Sequence, residues 1–471
     1  MPTIALQNFT LRQTMKPGIA LTVLTVIAVA QAAAAPAQTS SAPTTAAPIT
    51  AISAADHQSF APDVAVGPNG EMAVVWLDRG AVVPTPAAVD AGHDHSAAPG
   101  TPPDRHLSST DLYFAKSVDG GTTFSAPVRV NDVPGSVWGF SVSKPRVAIA
   151  RSGTVHILFP ANDVMPKNGK AFLAMYYTRS TDGGLSFVTP RRLHSVLDLD
   201  QSSFMDGGFA TANAFGTIGI APDNSVHALW VDTRNMQAGE GAAAAFTAVS
   251  TDDGASFSAE SVALPTDVCP CCQLNIAFDA QSNLYIGSRR VTSDGQRNAT
   301  VTTLTTRPGA PHERVAIGGK PWKIDGCPLK PTVVAVNGSH VYAAVFNGGE
   351  TPAGVYFSTS ENGGATFGPA QNVHPDAAVA DAPAIALAGK GAVLAWHAKT
   401  AGVRRLYWRR VAANGALGPI GELPLAEGAA QNPALATRND GRTQIVWQQK
   451  DRIFTTTLPD SPVLRRVAAN N

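Results

Sequence analysis

STDGGLSF, residues 180–187, is the stretch on which the interpretation of this chain depends, because three close copies of it occur elsewhere. The copies are SVDGGTTF at 117–124, STDDGASF at 250–257 and SENGGATF at 360–367. Each octet follows a strand-like run: DLYFAKS, AMYYTRS, AAFTAVS or GVYFSTS. In such a turn the Asp or Asn side chain accepts hydrogen bonds from backbone amides, glycine supplies positive φ, and the final Phe packs into apolar surroundings. The octets therefore predict one turn that recurs in a larger repeat.

The octets resemble the Asp-box, also called the BNR repeat, of the sialidase-like β-propellers, whose pattern is S-x-D-x-G-x-x-F/W. Four copies at the same place in the repeat make this resemblance specific. It implies that the third residue of each octet is a structural staple, far from any axial ligand. These residues are Asp119, Asp182, Asp252 and Asn362.

The rest of the chain repeats a simple unit: an apolar strand, a tight polar turn and a second apolar strand. The units begin at Pro62, Pro145, Ile218, Asn275, Pro331, Pro383 and Pro433. Alternation of apolar and turn residues at this spacing predicts antiparallel hairpins, and a third strand follows each pair. The octets close the first, second, third and fifth units. We therefore predict an all-β fold, a β-propeller of four-stranded antiparallel blades.

The repeat count favours seven blades, with ITAIS at 49–53 as a closing outer strand for the last blade. Six blades, the number in sialidases, is the alternative if one hairpin is an appendage. Lys+Arg and Asp+Glu balance at 35 each and no long basic run occurs, so the charge pattern of a nucleic-acid-binding protein is missing. A monomer is expected.

The N-terminus has the features of an export signal. Arg12 and Lys16 precede an apolar run at 19–30, and the small residues AAAAPA follow. The mature protein is expected to be periplasmic or secreted, with no membrane segment after signal cleavage. The predicted division is a signal peptide at 1–37, a Pro/Ala-rich linker at 38–48 and the propeller domain at 49–471.

The face opposite the octets collects the unusual residues of the sequence. Strands alternate direction within a blade, so the loops between blades and the second-to-third turns share that face. Function, if the chain has one there, is expected at these loops. They carry Asp56, His57, His93, His95, Trp138, Asp206, Arg234, Arg290, Trp322, Asp325 and all four cysteines.

The cysteines occur as C-P-C-C, with Cys269, Cys271 and Cys272, and as D-G-C-P, with Cys327. In an exported protein they predict two disulfides, one of them joining Cys271 or Cys272 to Cys327, and three pairings are open. The alternative is a copper or zinc site, with the cysteines joined by His57, His93 or His95. The pair CPCC and WKIDGCP also resembles a group of exported bacterial proteins labelled sialidase-like, over residues 267–471.

Sialidase chemistry requires three arginines for a substrate carboxylate, a Tyr nucleophile with a Glu, and an Asp acid/base. Arg146, Arg234 and either Arg289 or Arg290 are candidates for the arginines. No Tyr falls on a first strand, and the family's F/Y-R-I-P motif is absent, so no catalytic residue is carried over. A carboxylate pair, Asp206 with Asp325 or Asp56, is an alternative for glycoside hydrolysis. Trp138 and Trp322 are candidates for sugar stacking or for buried loop anchors.

Three functions follow as hypotheses. The first is recognition of a glycan or small anionic ligand on the axial face, without a cofactor. The second is an exo-α-sialidase type of glycoside hydrolase. The third is a periplasmic copper-handling or metal-handling protein that uses the CPCC and GCP cysteines.

Overall fold

The protein is described here from a computed structural model. The described residues are 47–81, 110–164, 171–195, 213–234, 236, 243–305, 313–324, 326–377, 379–425 and 428–461. All of them belong to the compact unit Ala46–Asn471. The predicted signal peptide and nearly all of the predicted linker lie outside them.

All regular secondary structure in the described residues is β-strand, and every strand pair is antiparallel. None of these residues forms a helix long and apolar enough to cross a membrane. The prediction of an all-β protein built from four-stranded antiparallel sheets is therefore confirmed.

The strands are numbered in chain order and grouped by sheet. The first sheet holds β2 (His57–Val66), β3 (Met72–Ala81), β4 (Asp111–Ser117) and β5 (Val128–Arg129). The second holds β6 (Arg146–Ile149), β7 (Val155–Val164), β8 (Ala171–Ser180) and β9 (Arg191–Arg192). An eight-stranded sheet follows, with β10 (Asn213–Ile220), β11 (Val226–Asp232), β12 (Ala243–Ser250), β13 (Ser261–Val268), β14 (Asn275–Phe278), β15 (Leu284–Val291), β16 (Arg297–Leu304) and β17 (Glu313–Ala316).

Three more four-stranded sheets complete the unit. One holds β18 (Thr332–Asn337), β19 (His340–Asn347), β20 (Gly354–Ser360) and β21 (Gln371–Asn372). The next holds β22 (Ala380–Ala388), β23 (Gly391–Thr400), β24 (Val403–Val411) and β25 (Gly421–Glu422). The last holds β26 (Ala430–Thr437), β27 (Thr443–Gln449), β28 (Arg452–Thr457) and β1 (Thr50–Ala51).

The first strands of successive units contact one another in a closed series. β2 contacts β6, β6 contacts β10, and the series continues through β14, β18, β22 and β26 back to β2. The N-terminal β1 pairs with β28, with Thr50 opposite Thr455, so ITAIS supplies the outer strand of the last sheet as predicted. A series that returns to its start gives the units a common axis, which is lined by their first strands.

The hydrophobic core lies between neighbouring sheets. Trp76 on β3, Trp230 on β11 and Trp447 on β27 are fully buried, each on the second strand of its unit. The octet phenylalanines add contacts between sheets, since the ring of Phe187 lies 5.3 Å from that of Phe114 in the preceding unit. Each sheet is thus buried against its neighbours by apolar side chains from both faces.

The first strands carry a recurrent β-bulge next to the axis. Ala61, Phe215, Ala382 and Asn432 have φ of 51°, 53°, 51° and 55°. The ladder register shifts at each of these positions. A left-handed residue other than glycine costs about 1–3 kcal/mol, so surrounding contacts must hold these four in place. The bulges redirect the chain at the inner rim of the sheets.

The octets form tight turns between third and fourth strands. Asp182 Oδ1 accepts hydrogen bonds from the amides of Leu185 and Ser186, both at 3.0 Å, and Ser180 Oγ donates to it at 2.6 Å. The amide of Gly184 donates to Ser180 Oγ at 2.7 Å. The side chains of Asp119, Asp252 and Asn362 accept hydrogen bonds in the same way. These contacts satisfy the turn amides.

Acid is expected to weaken the three octets that contain Asp. Hydrogen bonds from Thr123 and Ser117 lower the pKa of Asp119 to about 2, and serine hydroxyls lower the pKa values of Asp182 and Asp252 further. A carboxylate with a lowered folded pKa stabilises the fold above its unfolded pKa, about 3.9, and that contribution is lost as the pH falls toward the folded value. We expect Tm to fall between about pH 5 and about pH 2.

Asparagine supplies the matched variant, because Asn362 already fills this position and does not titrate in this range. Its Oδ1 accepts from the amide of Thr366 at 3.0 Å. In the triple variant Asp119→Asn, Asp182→Asn and Asp252→Asn, Tm should decline less steeply in acid, as followed by circular dichroism. Equal slopes in both proteins would show that acid unfolding depends on other carboxylates.

The connection that leads into the C-P-C-C segment is itself part of a strand. Pro265–Val268 forms the last part of β13. Val268 then pairs with Arg290 on β15, which joins two four-stranded units into the eight-stranded sheet. The amide of Cys269 donates to the carbonyl of Arg289 at 2.7 Å. This extension delivers the C-P-C-C segment to the start of the next unit.

Candidate functional site

The inner strands line a partly open cavity of about 80 Å³. Six of the first strands, or the residues just before them, contribute to its wall: β2, β6, β14, β18, β22 and β26. Ala382 and Asn432, two of the bulge residues, are part of this wall. The cavity is therefore axial, and its shape depends on the bulges.

One carboxylate and two cations form the charged part of the wall. Asp63 is buried, with 5% of its surface exposed. Lys144 Nζ lies 3.3 Å from Asp63 Oδ1, and Arg146 Nε lies 3.4 Å from Asp63 Oδ2. Burial lowers the pKa of Lys144, and the charge of Asp63 offsets part of this effect. With all three groups ionised the cluster has a net charge of one positive unit.

Arg146 keeps unused hydrogen-bonding capacity. Its buried Nε has no hydrogen-bond partner among the described residues, since the contact with Asp63 is an ion pair without hydrogen-bond geometry. Asp63 Oδ2 instead accepts from the amide of Val147 at 3.2 Å. Because this Nε is itself buried, a bound molecule would contact Arg146 through the exposed part of its side chain, which is 20% exposed.

The rest of the wall mixes amides with apolar side chains. Gln273 Nε2 donates to the carbonyls of Lys144 and Gly216, at 3.1 and 3.0 Å. Asn275 Oδ1 accepts from the amide of Val334 at 2.8 Å. These amides fix neighbouring strands to one another, while Val333, Ile385 and Leu435 supply apolar surface. Apolar walls with a few oriented polar groups are typical of small-molecule sites.

Arg234, a candidate for anion binding, is already paired with carboxylates of the protein. It donates to Asp232 and, at 2.9 Å, to Glu260, and its guanidinium lies 4.2 Å above the ring of Phe246. Burial acts to lower its pKa, but the hydrogen bonds with Glu260 and Asp232 outweigh burial and raise it. Two carboxylates and a ring hold this cation, so its contacts here are structural.

Arg289 and Arg290 differ in surroundings although they are adjacent. Arg289 is 2% exposed and donates to the carbonyls of Arg297 and Phe346, at 2.6 and 2.8 Å. Arg290 Nε lies 2.8 Å from Asp267 Oδ2, and half of its side chain is exposed. Of the arginine candidates only Arg146 lines the axial cavity, whereas Arg289 lines a separate cavity of about 50 Å³ with Trp322.

The four cysteines meet in one cluster, as the sequence predicted. Cys271 and Cys327 form a disulfide, with their Cα atoms 6.1 Å apart. Cys269 and Cys272 are free and buried. Cys269 Sγ lies 3.6 Å from Cys271 Sγ and 3.4 Å from Cys272 Sγ. Of the two disulfides expected, the one to Cys327 is therefore present and the other is an unbonded pair in contact.

The free pair has an uneven electrostatic environment. Burial opposes the thiolate of Cys272, but the hydrogen bond with Cys269 and the positive charge of Arg289 lower its pKa to about 7. The same hydrogen bond, together with burial, raises the pKa of Cys269. Burial lowers the pKa of Arg289, and the nearby sulfur atoms oppose this. Cys272 is thus the thiol of the pair that ionises more readily.

The metal prediction remains a prediction. Cys269, Cys271 and Cys327 have sulfur atoms within 4.8 Å of one another, and no histidine joins them among the described residues. Two of the three sulfur atoms are bonded to each other, so a metal would require reduction of that disulfide first. His57 lies elsewhere, with Nδ1 2.9 Å from Asp78 Oδ1. His93 and His95 lie outside the described residues.

The tryptophan and aspartate candidates are only partly among the residues that the structure describes. Trp138 is a buried anchor, 3% exposed, with its ring 5.4 Å from that of Phe140. Trp322 packs near Phe346, with ring centres 5.5 Å apart. Asp56 is exposed, and Asp206 and Asp325 lie outside the described residues, so the carboxylate pair remains a prediction. Every tyrosine lies on a second or third strand, and none lines the described wall of the cavity.

Sequence reasoning named Arg146 but missed its neighbours on the cavity wall, Asp63 and Lys144. Asp63 and Arg146 each follow the proline that begins a predicted unit, and Lys144 precedes one of these prolines. A charged residue at that position of an otherwise apolar strand is a usable signal.

No protein-family model matches this sequence, and the search of curated proteins finds no match. Among solved structures the chain is similar to an ulvan lyase, a polysaccharide lyase bound to a GlcA(1-4)Rha3S saccharide, at 12% identity, over 87% of this chain and 95% of that one, with a TM-score of 0.53. It is also similar to a Hadza microbial sialidase, at 14% identity over 75% and 74% of the two chains, with a TM-score of 0.44. An α-L-arabinofuranosidase of Fusarium graminearum matches at 11% identity over 88% and 97%, with a TM-score of 0.43.

At these identities the likeness concerns the fold and no residue. The antiparallel four-stranded sheets, their closed series and the similarity to the lyase agree with one another. The chain therefore has a β-propeller fold.

Proposed function

We propose that this chain is an exported, monomeric propeller of seven blades that binds a glycan or small anionic ligand in its axial cavity. The observation that supports this most directly is the cluster of Lys144 and Arg146 around the single carboxylate of Asp63. It leaves one positive charge in excess on the wall, where the side chain of Arg146 is 20% exposed. The seven first strands in a closed series support the blade count.

The ligand class follows from the chemistry of the wall. A guanidinium recognises a carboxylate or sulfate through charge-assisted hydrogen bonds, and the apolar residues Val333, Ile385 and Leu435 suit the less polar faces of a sugar ring. The structural likeness to a lyase that binds an acidic saccharide is consistent with this class. We therefore expect a saccharide with a carboxylate or sulfate group.

A hydrolase of sialidase type is less well supported. Arg234 is held by Asp232 and Glu260, and Arg289 faces a different cavity from Arg146. No tyrosine joins Arg146 on the described wall. The exo-sialidase hypothesis therefore lacks both its convergent arginines and its nucleophile within the described residues.

The binding proposal can be tested by isothermal titration calorimetry. The probes are N-acetylneuraminic acid, glucuronic acid and a sulfated disaccharide, with glucose as the neutral comparison. Replacing Arg146 by glutamine removes the charge and should raise Kd for a bound acidic probe about tenfold or more, since a hydrogen bond to a charged group contributes about 1.5–3 kcal/mol. The control is Arg442→Gln, because Arg442 is 65% exposed in its side chain and does not line the cavity.

Equal affinities in the wild type and Arg146→Gln would contradict the proposed site. The absence of binding by all acidic probes would contradict the proposed ligand class. A fluorogenic sialoside that is turned over, with loss of turnover in Arg146→Gln, would favour the hydrolase.

A further inference from the structure

The cysteine cluster contains two free thiols in addition to the one disulfide that would be enough to link two loops. A disulfide, Cys271–Cys327, and a dithiol, Cys269 and Cys272, lie in direct contact. Cys327 is exposed, whereas the other three are buried. One end of the cluster therefore faces solvent and the other end is enclosed.

We propose that the four cysteines form a thiol–disulfide exchange site, in which the single disulfide moves between Cys271–Cys327 and Cys269–Cys272 and thereby exposes or conceals a nucleophilic thiol at Cys327. The site would take a thiol or disulfide of another molecule as its substrate. This inference does not depend on ligand binding in the axial cavity.

Cys269 is the residue that connects the two pairs. Its Sγ lies 3.6 Å from Cys271 Sγ and 3.4 Å from Cys272 Sγ. The sulfur atoms of Cys269, Cys271 and Cys327 all lie within 4.8 Å of one another. A thiolate attacks a disulfide sulfur directly and releases the other sulfur as a thiolate. Cys269 is therefore in contact with both pairs, and a rotation of its side chain would bring it in line with the Cys271–Cys327 bond.

The exchange balances without an added oxidant or reductant. In the first step the Cys272 thiolate accepts the proton of Cys269, Cys269 Sγ bonds to Cys271 Sγ, the Cys271–Cys327 bond breaks, and Cys327 leaves as a thiolate. In the second step the Cys272 thiolate bonds to Cys269 Sγ, and Cys271 leaves as a thiolate that takes up the proton lost by Cys272. Two electrons move from the dithiol to the former disulfide, so the chain holds one disulfide before and after.

Arg289 supplies the positive charge that such a buried exchange needs. It is 2% exposed, its Nε has no hydrogen-bond partner among the described residues, and its charge acts on Cys272. A buried cation beside a buried dithiol stabilises a thiolate that would otherwise be unfavourable in apolar surroundings.

Reaction with an outside molecule would occur at Cys327. A thiolate at Cys327 attacks the disulfide of an external molecule, forms a mixed disulfide and releases one external thiolate. A free cysteine of the cluster, Cys271, then attacks Cys327 Sγ, restores Cys271–Cys327 and releases the second external thiolate. The external disulfide is reduced to two thiols, and the inner Cys269–Cys272 disulfide is retained at the end.

The test follows the position of the disulfide in the full chain. The protein is first brought to the state that the structure shows, with one disulfide and two free thiols verified by thiol titration, and any reductant is removed. The protein is held at slightly alkaline pH without reductant, and free thiols are trapped over time with N-ethylmaleimide. Peptide mass spectrometry then reports which cysteines are alkylated and which are paired.

We expect the wild type to show two species, one with Cys271–Cys327 and one with Cys269–Cys272 and an alkylated Cys327. In Cys269→Ala, alkylation of Cys327 should fall about tenfold or more, because the connecting sulfur is missing. In Cys272→Ala the exchange should stop after its first step, with Cys269 bonded to Cys271 and Cys327 alkylated. Thermal unfolding of both variants checks that each is folded.

A wild type that shows only Cys271–Cys327 at every time would overturn the proposal. So would equal alkylation of Cys327 in Cys269→Ala and the wild type, because the thiol would then be released by another route. Arg289→Gln supplies a second measurement, since removal of the charge should slow the appearance of alkylated Cys327 while leaving Cys271–Cys327 intact at the start.

Discussion

Replacing Asp63 by alanine is expected to lower the free energy of unfolding by about 3 kcal/mol. The change leaves Lys144 and Arg146 without their shared carboxylate, and removal of one partner from a buried ion pair typically costs about 3–5 kcal/mol. The lower end of this range of energies applies because the side chains of Lys144 and Arg146 are 12% and 20% exposed, so both cations gain some hydration from the cavity. Urea unfolding at neutral pH measures the difference.

Asp440→Ala is the matched control, since Asp440 is also a carboxylate between two arginines, Arg438 and Arg442, but its side chain is 41% exposed. Exposed pairs of this kind contribute about 0–1 kcal/mol. If Asp63→Ala lost no more stability than Asp440→Ala, the two cations would have to be well hydrated in the cavity. The cavity would then be a wet channel, and the electrostatic basis of the proposed ligand site would need revision.

Replacing Gly184 by alanine is expected to destabilise the protein by about 3 kcal/mol. Gly184 is the second glycine of the octet STDGGLSF, its φ is +91°, and a Cβ would overlap the ring of Phe114 in the neighbouring sheet. The backbone strain costs about 1–2 kcal/mol. Overpacking of a buried ring adds about 1–3 kcal/mol. Thermal and urea unfolding of the variant measure the sum.

Gly153→Ala separates the two contributions. Gly153 also has positive φ, +85°, but a Cβ there would meet nothing within 4 Å. The Gly153→Ala variant should therefore lose only the backbone contribution to the free energy of unfolding, about 1–2 kcal/mol. Similar losses at Gly184 and Gly153 would mean that the octet glycine is required for the turn alone. A larger loss at Gly184 would show that the octets also fix the distance between neighbouring sheets.

The fold was predictable because its signals are local and repeated. A hairpin period and four octets each depend on a few adjacent residues, so the strand order and the octet positions could be read without coordinates. Strand direction placed all four cysteines on one face, since alternating strands put the loops between blades there. The extension of β13 through Pro265–Val268 could not be predicted from the sequence, because Val268 pairs with Arg290, which lies in another unit.

The sites were less predictable because they depend on neighbours distant in sequence. Four cysteines allow three pairings, and only the packing of two loops decides that Cys271 bonds to Cys327. Arg146, Arg234 and Arg289 look equivalent in the sequence, yet their partners differ: a shared carboxylate, a pair of carboxylates and a set of backbone carbonyls. Charge in a sequence does not reveal which charges neutralise one another in the fold.

The sequence by itself determined the repeating antiparallel unit, the turn chemistry of the octets and the face on which the cysteines gather, since these follow from periodicity and strand direction. Only the tertiary structure decided that Asp63, Lys144 and Arg146 share the wall of an axial cavity and that Cys269 lies between a disulfide and a second thiol. The physical reason is that both arrangements depend on distances of 3 to 4 Å between side chains from separate segments, set by β-bulges and by packing between sheets.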